Sequence, residues 1–287
     1  MNSLHQAISW GIEVLEQRGN KNTRSEVEQI LMHLLGCQRI DLYLQEELSD
    51  RLDRQVFEQL ISQRAKRIPL QYLLGESHFL SWQFKVGPGV FIPRPETEIL
   101  IQQTVDSFED RVGAYRHTPL HFLDLGTGSG NVAIALTKLL SYCRISAIEI
   151  SPVALTAAKE NARRHGVENR IEFIQEDWSQ FLNRSSDRVD GIVANPPYIP
   201  SDEIPRLDLE VQMEPRQALD GGVDGLDWIR ILLKEAKRIL KENGYLIFEM
   251  GEGQATQVRQ MAQAEGWRQY GTARDLRGIE RVFWARK

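Results

Sequence analysis

Apolar residues recur at helical spacing near the start of the chain. Leu4, Ile8, Ile12 and Leu15 lie three or four positions apart, which places their side chains on one face of a helix. Similar spacing continues through the runs that follow, with polar residues between the apolar ones. The pattern predicts a small all-helical domain over residues 1–75.

Two further helices are indicated within this domain. Thr23 and Glu26 have the spacing of a capping box, ahead of an apolar run that Gly36 ends. Another helical run begins near Asp50, and Pro69 stops it because proline cannot continue a helix. We therefore expect helix boundaries at these positions.

Strand-forming residues dominate the next stretch, from Phe79 to Val86, and Gly87-Pro88-Gly89 is a turn sequence. We predict a β-hairpin linker over residues 76–93. Pro95 then suits the first position of a new helix, where its missing N–H costs nothing.

Short apolar runs alternate with amphipathic runs across residues 94–287. The apolar runs predict strands at residues 120–125, 144–150, 171–175, 189–194, 244–250, 267–272 and 280–285. The last two have no helix between them. The alternation predicts an α/β domain with a parallel sheet covered on both faces and an antiparallel pair at one edge.

Composition narrows the class of protein. Hydrophobic residues make up 41% of the 287 residues and charged residues 26%, which is ordinary for a globular protein. A net charge of −5 weighs against an obligate nucleic-acid binder, which usually carries a basic face. The cysteines, Cys37 and Cys143, lie far apart, which predicts reduced, buried thiols in a cytoplasmic protein and no metal cluster. We expect neither a signal peptide nor a membrane span.

A glycine-rich loop, Asp124-Leu125-Gly126-Thr127-Gly128-Ser129-Gly130, follows the first strand of the predicted sheet. Glycines at alternate positions allow the backbone to come close to a ligand. The nicotinamide fingerprint G-x-G-x-x-G needs its third glycine at the position of Asn131, so a dehydrogenase is not expected.

Acidic residues follow the next two strands. Glu149 ends the second strand, where a carboxylate can accept hydrogen bonds from both hydroxyls of a ribose. Asp177 follows the third strand and precedes Trp178, whose ring either stacks on a nucleotide base or packs in the core.

The sequence Asn195-Pro196-Pro197-Tyr198 directly follows the strand at 189–194. Ligands of open α/β sheets bind beyond the carboxyl ends of the strands, so this motif lies where chemistry is expected. The side-chain carbonyl of Asn195 and the backbone carbonyl of Pro196 are two acceptors, and Tyr198 offers a flat face. Two acceptors can hold both hydrogens of a planar NH2 group.

Such a group needs this help because an amide nitrogen shares its lone pair with its carbonyl and is a poor nucleophile. Fixing the nitrogen in line with an electrophile supplies proximity and orientation. Acceptors on its hydrogens stabilise the positive charge that develops on nitrogen.

Together these motifs resemble the HemK/PrmC family of release-factor glutamine N5-methyltransferases over nearly the whole chain. The glycine loop resembles motif I of Rossmann-like methyltransferases. Other matching segments are Pro69–Gly75, the linker motif Phe91–Glu98, Glu214-Pro215-Arg216 and Ala218–Gly222. Asn-Pro-Pro-Tyr alone is shared with adenine-N6 methyltransferases, so the linker motif and the N-terminal segment distinguish the subfamily. Glu149 stands where relatives often have Asp, which preserves an acceptor.

The resemblance implies a Rossmann-like seven-stranded methyltransferase domain over residues 94–287 that uses S-adenosylmethionine and releases S-adenosylhomocysteine. It implies methylation of N5 of the glutamine in the Gly-Gly-Gln motif of class-1 peptide chain release factors, with the helical domain docking that partner. The implied cofactor-binding residues are Asp124, Gly126, Thr127, Gly128, Gly130, Glu149, Asp177, Trp178 and Asn195. The implied catalytic residues are Asn195, Pro196 and Tyr198, and Pro197, Phe91 and Pro93 are implied to line the substrate pocket.

Two other functions compete with this one. A nucleic-acid adenine methyltransferase also uses Asn-Pro-Pro-Tyr, but Ile199–Gly225 holds seven Asp or Glu and two Arg, a net charge of −5 that repels a polynucleotide. A non-enzymatic binding module is disfavoured because Asn195 and the glycine loop are intact. We expect no direct nucleic-acid partner, no membrane association and a monomer.

Two further segments carry predictions. The long connection Ile199–Gly225 is expected to lack regular structure, to cover the acceptor site and to become ordered on substrate binding. Arg64, Lys66 and Arg67 either contact a partner or form the solvated end of a helix, and we favour the solvated end.

Overall fold

The computed structural model describes residues 3–44, 48–112, 119–186 and 188–287. Two compact units are distinguished. The first is the chain up to Glu76 together with Asp208–Met213, and the second is Ser77–Leu207 with Glu214–Lys287. The helical domain predicted from the sequence therefore gains a segment from far along the chain.

The helices of the described residues, in chain order, are α1 (Leu4–Glu16), α2 (Thr23–Leu35), α3 (Asp41–Leu44), α4 (Leu48–Arg51), α5 (Arg54–Ala65), α6 (Leu70–Leu74), α7 (Glu98–Val112), α8 (Asn131–Leu139), α9 (Pro152–Arg164), α10 (Trp178–Arg184), α11 (Leu209–Gln212), α12 (Asp227–Ile239) and α13 (Ala255–Ala264). Short 3-10 turns lie at Pro95–Thr97, Glu168–Arg170, Ile204–Arg206 and Arg216–Ala218. The strands are β1 (Glu76–Phe79), β2 (Trp82–Lys85), β3 (Leu120–Leu125), β4 (Cys143–Glu149), β5 (Ile171–Gln175), β6 (Val189–Ala194), β7 (Leu240–Glu249), β8 (Gln269–Arg274) and β9 (Glu280–Arg286). Helix α13 had no counterpart among the sequence predictions.

Helices α1, α2 and α5 enclose the core of the first unit. The side chains of Leu15, Val27, Phe57 and Ile61 are fully buried there. A Cβ atom at Gly11 would lie only 3.0 Å from Val27, so α1 and α2 are in close contact at this glycine. The apolar face predicted for α1 is confirmed.

Helix α2 begins at Thr23, close to the predicted start, but its predicted capping box and the predicted start of the next long helix are wrong. The capping box does not form at α2, because Glu26 binds the guanidinium of Arg64 and the residue before the helix makes no side-chain cap. Helix α5 begins at Arg54 and not near Asp50, since the carboxylate of Asp53 caps it by accepting the N–H of Val56. The predicted glycine end of α2 at Gly36 is confirmed by its left-handed backbone.

Arg64 is not part of a solvated helix end. Its side chain is 5% exposed and donates to Glu26 at 2.9 and 2.8 Å and to Glu210 at 2.7 Å. Arg67 donates to the other oxygen of Glu210 at 2.6 Å, whereas Lys66 is exposed. Burial raises the pKa of Glu210, but the hydrogen bonds from Arg67 and Arg64 outweigh it and lower that pKa to about 2. These ion pairs hold Asp208–Met213 in the helical unit.

The second unit is built on the seven-stranded sheet with the order β5-β4-β3-β6-β7-β9-β8. Neighbouring strands are parallel from β5 to β7, and β9 is antiparallel to both β7 and β8. The predicted parallel sheet with an antiparallel pair at its edge is confirmed. Because β4 lies on one side of β3 and β6 on the other, a topological switch point opens between β3 and β6.

The predicted hairpin is present, but its turn lies elsewhere. Strands β1 and β2 are joined at Leu80 and Ser81, and Gly87-Pro88-Gly89 follows the hairpin. Leu80 adopts a positive φ of 53° at this turn. Packing of Phe79 and Phe84 against each other, with ring centroids 6.1 Å apart, favours this register over the one that the glycines suggested.

The two cysteines differ in their burial. Cys143 is buried and Cys37 is only partly buried, so the expectation of two buried thiols is wrong for Cys37.

Within the described part of the chain, no helix combines the length and the apolar character that crossing a membrane requires.

Replacement of Arg64 by leucine tests whether the buried ion pairs stabilise the helical unit. Arg64→Leu leaves Glu26 and Glu210 without their shared partner, and breaking a buried pair in this way lowers the free energy of unfolding by about 3–5 kcal/mol. Urea unfolding measures the change, with Lys66→Leu as the exposed control on the same turn, expected to stay within about 0.5 kcal/mol. A loss for Arg64→Leu of only about 0–1 kcal/mol, as for exposed pairs, would contradict the assignment.

Candidate active site

The glycine loop and the Asn-Pro-Pro-Tyr motif lie at the same edge of the sheet. Leu125 at the end of β3 is paired with Ala194 at the end of β6, so Gly126 and Asn195 leave adjacent strands at one level. This is the carboxyl edge at the switch point, where α/β sheets bind their ligands. Two motifs that are far apart in the sequence thus form one site.

The glycine loop has the backbone that its composition predicts. Gly126, Gly128 and Gly130 have φ values of 75°, 56° and 83°, which L-residues rarely adopt. A Cβ atom at Gly128 would meet no protein atom nearer than 4.0 Å, so the space above this residue is open to a ligand. Gly130, by contrast, packs against Ala158, 3.2 Å from the position of a Cβ atom.

Asp124 lies beneath this loop and shapes it. Its side chain is 1% exposed, and its Oδ2 accepts the hydroxyl of Thr127 at 2.6 Å and the N–H of Ala133 at 3.1 Å. Burial raises the pKa of Asp124 to about 7, although these hydrogen bonds lower it. The carboxyl group therefore joins β3, the loop and α8.

Glu149 connects the end of β4 to the same loop. Its Oε2 accepts the N–H of Gly128 at 2.9 Å, and its Oε1 accepts the N–H of Ser151 at 2.9 Å. The side chain is 7% exposed. Glu149 thus lies beside the glycine loop, because β3 and β4 are adjacent strands.

Asp177 and Trp178 lie at the start of α10. Asp177 caps this helix, because its Oδ1 accepts the N–H groups of Ser179 and Gln180. Trp178 packs in the core, with its ring centroid 5.1 Å from that of Trp228, and is 8% exposed. Burial favours the interpretation of Trp178 as a core side chain whose edge borders the glycine loop.

Asn195 is held in one orientation by a residue of the linker motif. Its Nδ2 donates to the hydroxyl of Thr97 at 3.1 Å, and Thr97 is fully buried. The NH2 group of Asn195 is thus engaged with the protein. Its carbonyl oxygen is the acceptor that remains for a substrate.

Tyr198 is anchored on the neighbouring strand. Its hydroxyl donates to Oε1 of Glu249, the last residue of β7, at 3.1 Å. Burial and the Glu249 carboxylate raise the pKa of the Tyr198 phenol, so it stays protonated and donates. Pro196 is buried and Pro197 half-buried between these two anchored residues.

The connection after Tyr198 contains the short helix α11 and two 3-10 turns, so the expectation that it lacks regular structure is wrong for these pieces. That it becomes ordered on substrate binding stays a prediction. Ile199 and Asp220 form a parallel bridge, and Gln254 donates to the carbonyl of Tyr198 at 3.0 Å. A Cβ atom at Gly225 would lie 2.4 Å from that same carbonyl oxygen, which is why only glycine fits there. Whether the connection covers the acceptor site stays a prediction.

Phe91 and Pro93 lie on either side of Ile92, whose backbone N–H is hydrogen-bonded to a residue far along the chain. Glu214 is buried, accepts the N–H of Ile92 at 3.0 Å and forms a salt bridge with Arg94. Burial raises the pKa of Glu214, although Arg94 lowers it. The guanidinium of Arg94 also lies 5.0 Å above the ring of Phe91, which is half-buried. Glu214 thus holds the linker motif.

The acidic charge of Ile199–Gly225 is largely neutralised. Its carboxylates pair with basic side chains in Asp202–Arg206, Asp208–Lys21, Glu210–Arg64, Glu214–Arg94, Asp220–Arg216 and Asp224–Arg230. Electrostatic repulsion from this segment is therefore weaker than its composition predicts, and it does not by itself exclude a polynucleotide.

Thr97, Glu249 and Gln254 take part in the site but were not singled out from the sequence. The sequence did carry a signal for Glu249. An acidic residue at the end of a parallel strand next to β6 must lie at the same edge of the sheet as Asn195. Thr97 lay inside the linker motif, but nothing local indicated that it would meet Asn195, 98 residues away. Across the described residues, no group of three His, Cys, Asp or Glu is placed to hold a metal ion.

Two family descriptions match this chain, one towards its N-terminus and one over the sheet-forming region. The family description "PrmC N-terminal domain" matches residues 6–75, and "Methyltransferase domain" matches residues 117–275. The release factor glutamine methyltransferase of Geobacter sulfurreducens is 37% identical over 99% of this chain and 96% of its own length. That of Moorella thermoacetica is 39% identical over 99% of this chain and 98% of its own length.

The fold has solved counterparts. A methyltransferase structure from Pyrococcus furiosus superposes with a TM-score of 0.50 at 15% identity, over 71% of this chain and 88% of that chain. At this identity the likeness concerns the fold alone. The nearly full-length sequence similarity to the two enzymes above identifies the family, because it spans the helical unit, the linker motif and both site motifs. This chain therefore belongs to the release factor glutamine methyltransferase family, with an N-terminal domain of the PrmC type followed by a methyltransferase domain.

Proposed function

We propose that this protein transfers a methyl group from S-adenosylmethionine to N5 of the glutamine side chain in the Gly-Gly-Gln motif of class-1 peptide chain release factors. The observation that carries the proposal is the orientation of Asn195. Its NH2 group is bound by Thr97, which leaves a carbonyl oxygen for the hydrogens of an amide. Family membership supplies the identity of that amide.

The cofactor would occupy the space over the glycine loop. The open volume above Gly128 and the positive φ angles of the loop suit a close approach to the backbone. Glu149 would accept hydrogen bonds from the ribose hydroxyls, and Asp124 with Thr127 would keep the loop in shape beneath the methionine part. Asp177 and Trp178 would border the adenine through the start of α10. When bound, S-adenosylmethionine supplies an electrophilic methyl group on a sulfonium.

The acceptor residues would act by orientation and charge stabilisation. Asn195 and the carbonyl of Pro196 would each accept one hydrogen of the substrate NH2 group, which fixes the nitrogen in its attacking direction. The C–S bond of the sulfonium would break as the N–C bond forms, which leaves a neutral thioether. Asn195 and the carbonyl of Pro196 would stabilise the positive charge on nitrogen, and one of the two hydrogens would then leave to water as a proton. Pro197, Tyr198, Phe91 and Pro93 would form the walls around the glutamine side chain.

The helical unit would dock the release factor, the protein would act as a cytoplasmic monomer, and no nucleic acid would be methylated directly.

Mass spectrometry of a class-1 release factor incubated with the protein and S-adenosylmethionine tests the activity itself. We expect a single added methyl group on the glutamine of the Gly-Gly-Gln motif, and none when that glutamine is replaced by alanine. DNA and RNA oligonucleotides containing adenine serve as the competing substrates. Methylation of an oligonucleotide in place of the release factor would overturn the assignment in favour of an adenine methyltransferase.

The cofactor site is tested by Gly128→Val. A side chain there would project into the space above the loop and strain a backbone with a φ of 56°, so we expect calorimetry to detect no S-adenosylmethionine binding. Gly166→Val is the matched control, because Gly166 has a φ of 66° with open space around it but ends α9 away from the loop. Equal affinities for the two variants would refute the placement of the cofactor.

The acceptor role is tested at Asn195. Asn195→Ala should keep cofactor affinity and reduce single-turnover methylation roughly 10²–10³-fold, as for the loss of one preorganised polar contact at a reacting centre. Asn195→Asp should be almost as inactive, because it replaces the N–H that Thr97 accepts by an oxygen. A near-normal rate for Asn195→Ala would exclude any direct role for this residue.

A further inference from the structure

The buried side chain of Gln254 joins three backbone segments at the end of the acceptor motif. Its Oε1 accepts the N–H of Gly251 at 2.8 Å, and its Nε2 donates to the carbonyls of Tyr198 at 3.0 Å and Gly225 at 3.2 Å. Gln254 is 8% exposed, so these hydrogen bonds are shielded from water. We call these three hydrogen bonds the Gln254 bridge. Both amide hydrogens and the amide oxygen of Gln254 take part in it.

Glycines surround the backbone of Tyr198 so closely that it has little room to move. A Cβ atom at Gly221 would lie 2.8 Å from Cα of Tyr198, and one at Gly251 would lie 3.2 Å from its ring. A Cβ atom at Gly225 would lie 2.4 Å from the Tyr198 carbonyl oxygen and 2.8 Å from Nε2 of Gln254. Tyr198 is therefore enclosed at its Cα atom, its ring and its carbonyl group.

The two prolines carry this restraint back to the carbonyl of Pro196. Proline fixes φ at about −65°, and a residue that precedes proline avoids the helical region. Asn195 and Pro196 both precede a proline, so few torsions can vary between β6 and Tyr198. Strand β6 is itself paired on both sides up to Ala194. The Pro196 carbonyl thus lies in a stiff segment with one end fixed by the sheet and the other by the Gln254 bridge.

We propose that Gln254 is a positioning residue for methyl transfer, because its hold on the Tyr198 carbonyl keeps the Pro196 carbonyl directed at the substrate NH2 group. The inference rests on the proposed function, which takes the Pro196 carbonyl as one of two acceptors. The direction of a main-chain carbonyl is set by whatever holds the chain on either side of it. Gln254 does this from the turn between β7 and α13, 56 residues away from Tyr198.

The two acceptors act on one nitrogen, so their effects on the rate are coupled. With only one acceptor in place, the side-chain amide of the substrate can turn about its last single bond, and the nitrogen is less often in line with the electrophile. Loss of either acceptor therefore removes most of what the pair supplies. The three hydrogen bonds of the Gln254 bridge do not involve the glycine loop, so the bridge should affect the rate of transfer and not cofactor affinity.

The first test uses Gln254→Met, which keeps the length of the side chain but cannot donate a hydrogen bond. We expect single-turnover methylation of a class-1 release factor to fall roughly 10²-fold, as for misplacement of a reacting group. Calorimetric affinity for S-adenosylhomocysteine should be unchanged, which also shows that the variant is folded. Gln257→Met makes the same replacement at an exposed glutamine of α13 and should react at the rate of the unchanged protein.

The second test breaks the same hydrogen bond without replacing Gln254. Gly225→Ala places a Cβ atom between the Tyr198 carbonyl and Nε2 of Gln254 and so forces them apart. We expect it to lower the rate as Gln254→Met does, again with unchanged affinity for S-adenosylhomocysteine. Gly278→Ala is the matched control, because Gly278 has a φ of 81° against 74° at Gly225 but open space around it. A normal rate for Gly225→Ala would contradict the positioning role.

The decisive test combines Gln254→Met with Asn195→Ala. If both residues orient the same NH2 group, Gln254→Met should lower the rate of Asn195→Ala by less than about tenfold, although alone it costs roughly 10²-fold. Losses that simply multiply would mean that Gln254 acts by general destabilisation, and the positioning role would be wrong. A normal rate for Gln254→Met, or a matching loss of affinity for S-adenosylhomocysteine, would overturn it as well.

Amide hydrogen exchange provides a measurement that does not depend on turnover. The N–H of Ile199, which donates to the carbonyl of Leu219, should exchange faster in Gln254→Met than in Gln257→Met. Exchange in the glycine loop should be the same in both variants. Unchanged exchange at Ile199 would exclude the Gln254 bridge as a restraint on the motif. If exchange responds as expected but the unchanged protein methylates no release factor, the proposed function fails instead.

Discussion

The parallel pairing of β3 with β6 is the constraint on which the site depends. Strand order reverses at this pair, since β4 and β5 extend the sheet on one side and β7, β9 and β8 on the other. Parallel strands end at the same edge, so the residues after β3, β6 and β7 must meet there. The glycine loop, Asn195 and Glu249 therefore share one edge although they are spread over more than a hundred positions.

Buried carboxyl groups organise the segments that converge on this edge. Asp124 holds the glycine loop, Glu249 holds Tyr198, and Glu214 holds the linker motif. Each is almost fully buried, and burial is the main cause that raises its pKa. Burying a polar group is costly unless it is hydrogen-bonded, so these carboxyls specify which backbone segments must lie beside them. The site is assembled by their hydrogen bonds as much as by apolar packing.

The helical unit shows the same principle with ion pairs. Arg64 lies between Glu26 of α2 and Glu210 of α11, and so recruits a segment from the connection that follows Tyr198. That connection leaves the sheet unit after Leu207 and returns to it at Glu214, where Glu214 ties it to Ile92. The connection that begins at the acceptor motif thus has one part in the helical unit and the rest in the sheet unit.

The sequence by itself determined most of the local elements, the sheet class, the two site motifs and the family. Hydrophobic periodicity, glycines at positive φ and the Asn-Pro-Pro-Tyr motif depend on nearest neighbours along the chain, and these are visible in a sequence. What only the tertiary structure decided is which partner each polar side chain finds. Glu26 pairs with Arg64 and does not form the predicted capping box, and the hairpin turn lies at Leu80. The side chain of Asn195 is oriented by Thr97. Such choices depend on contacts between residues distant along the chain, where burial makes an unpaired polar group costly and so outweighs local preference.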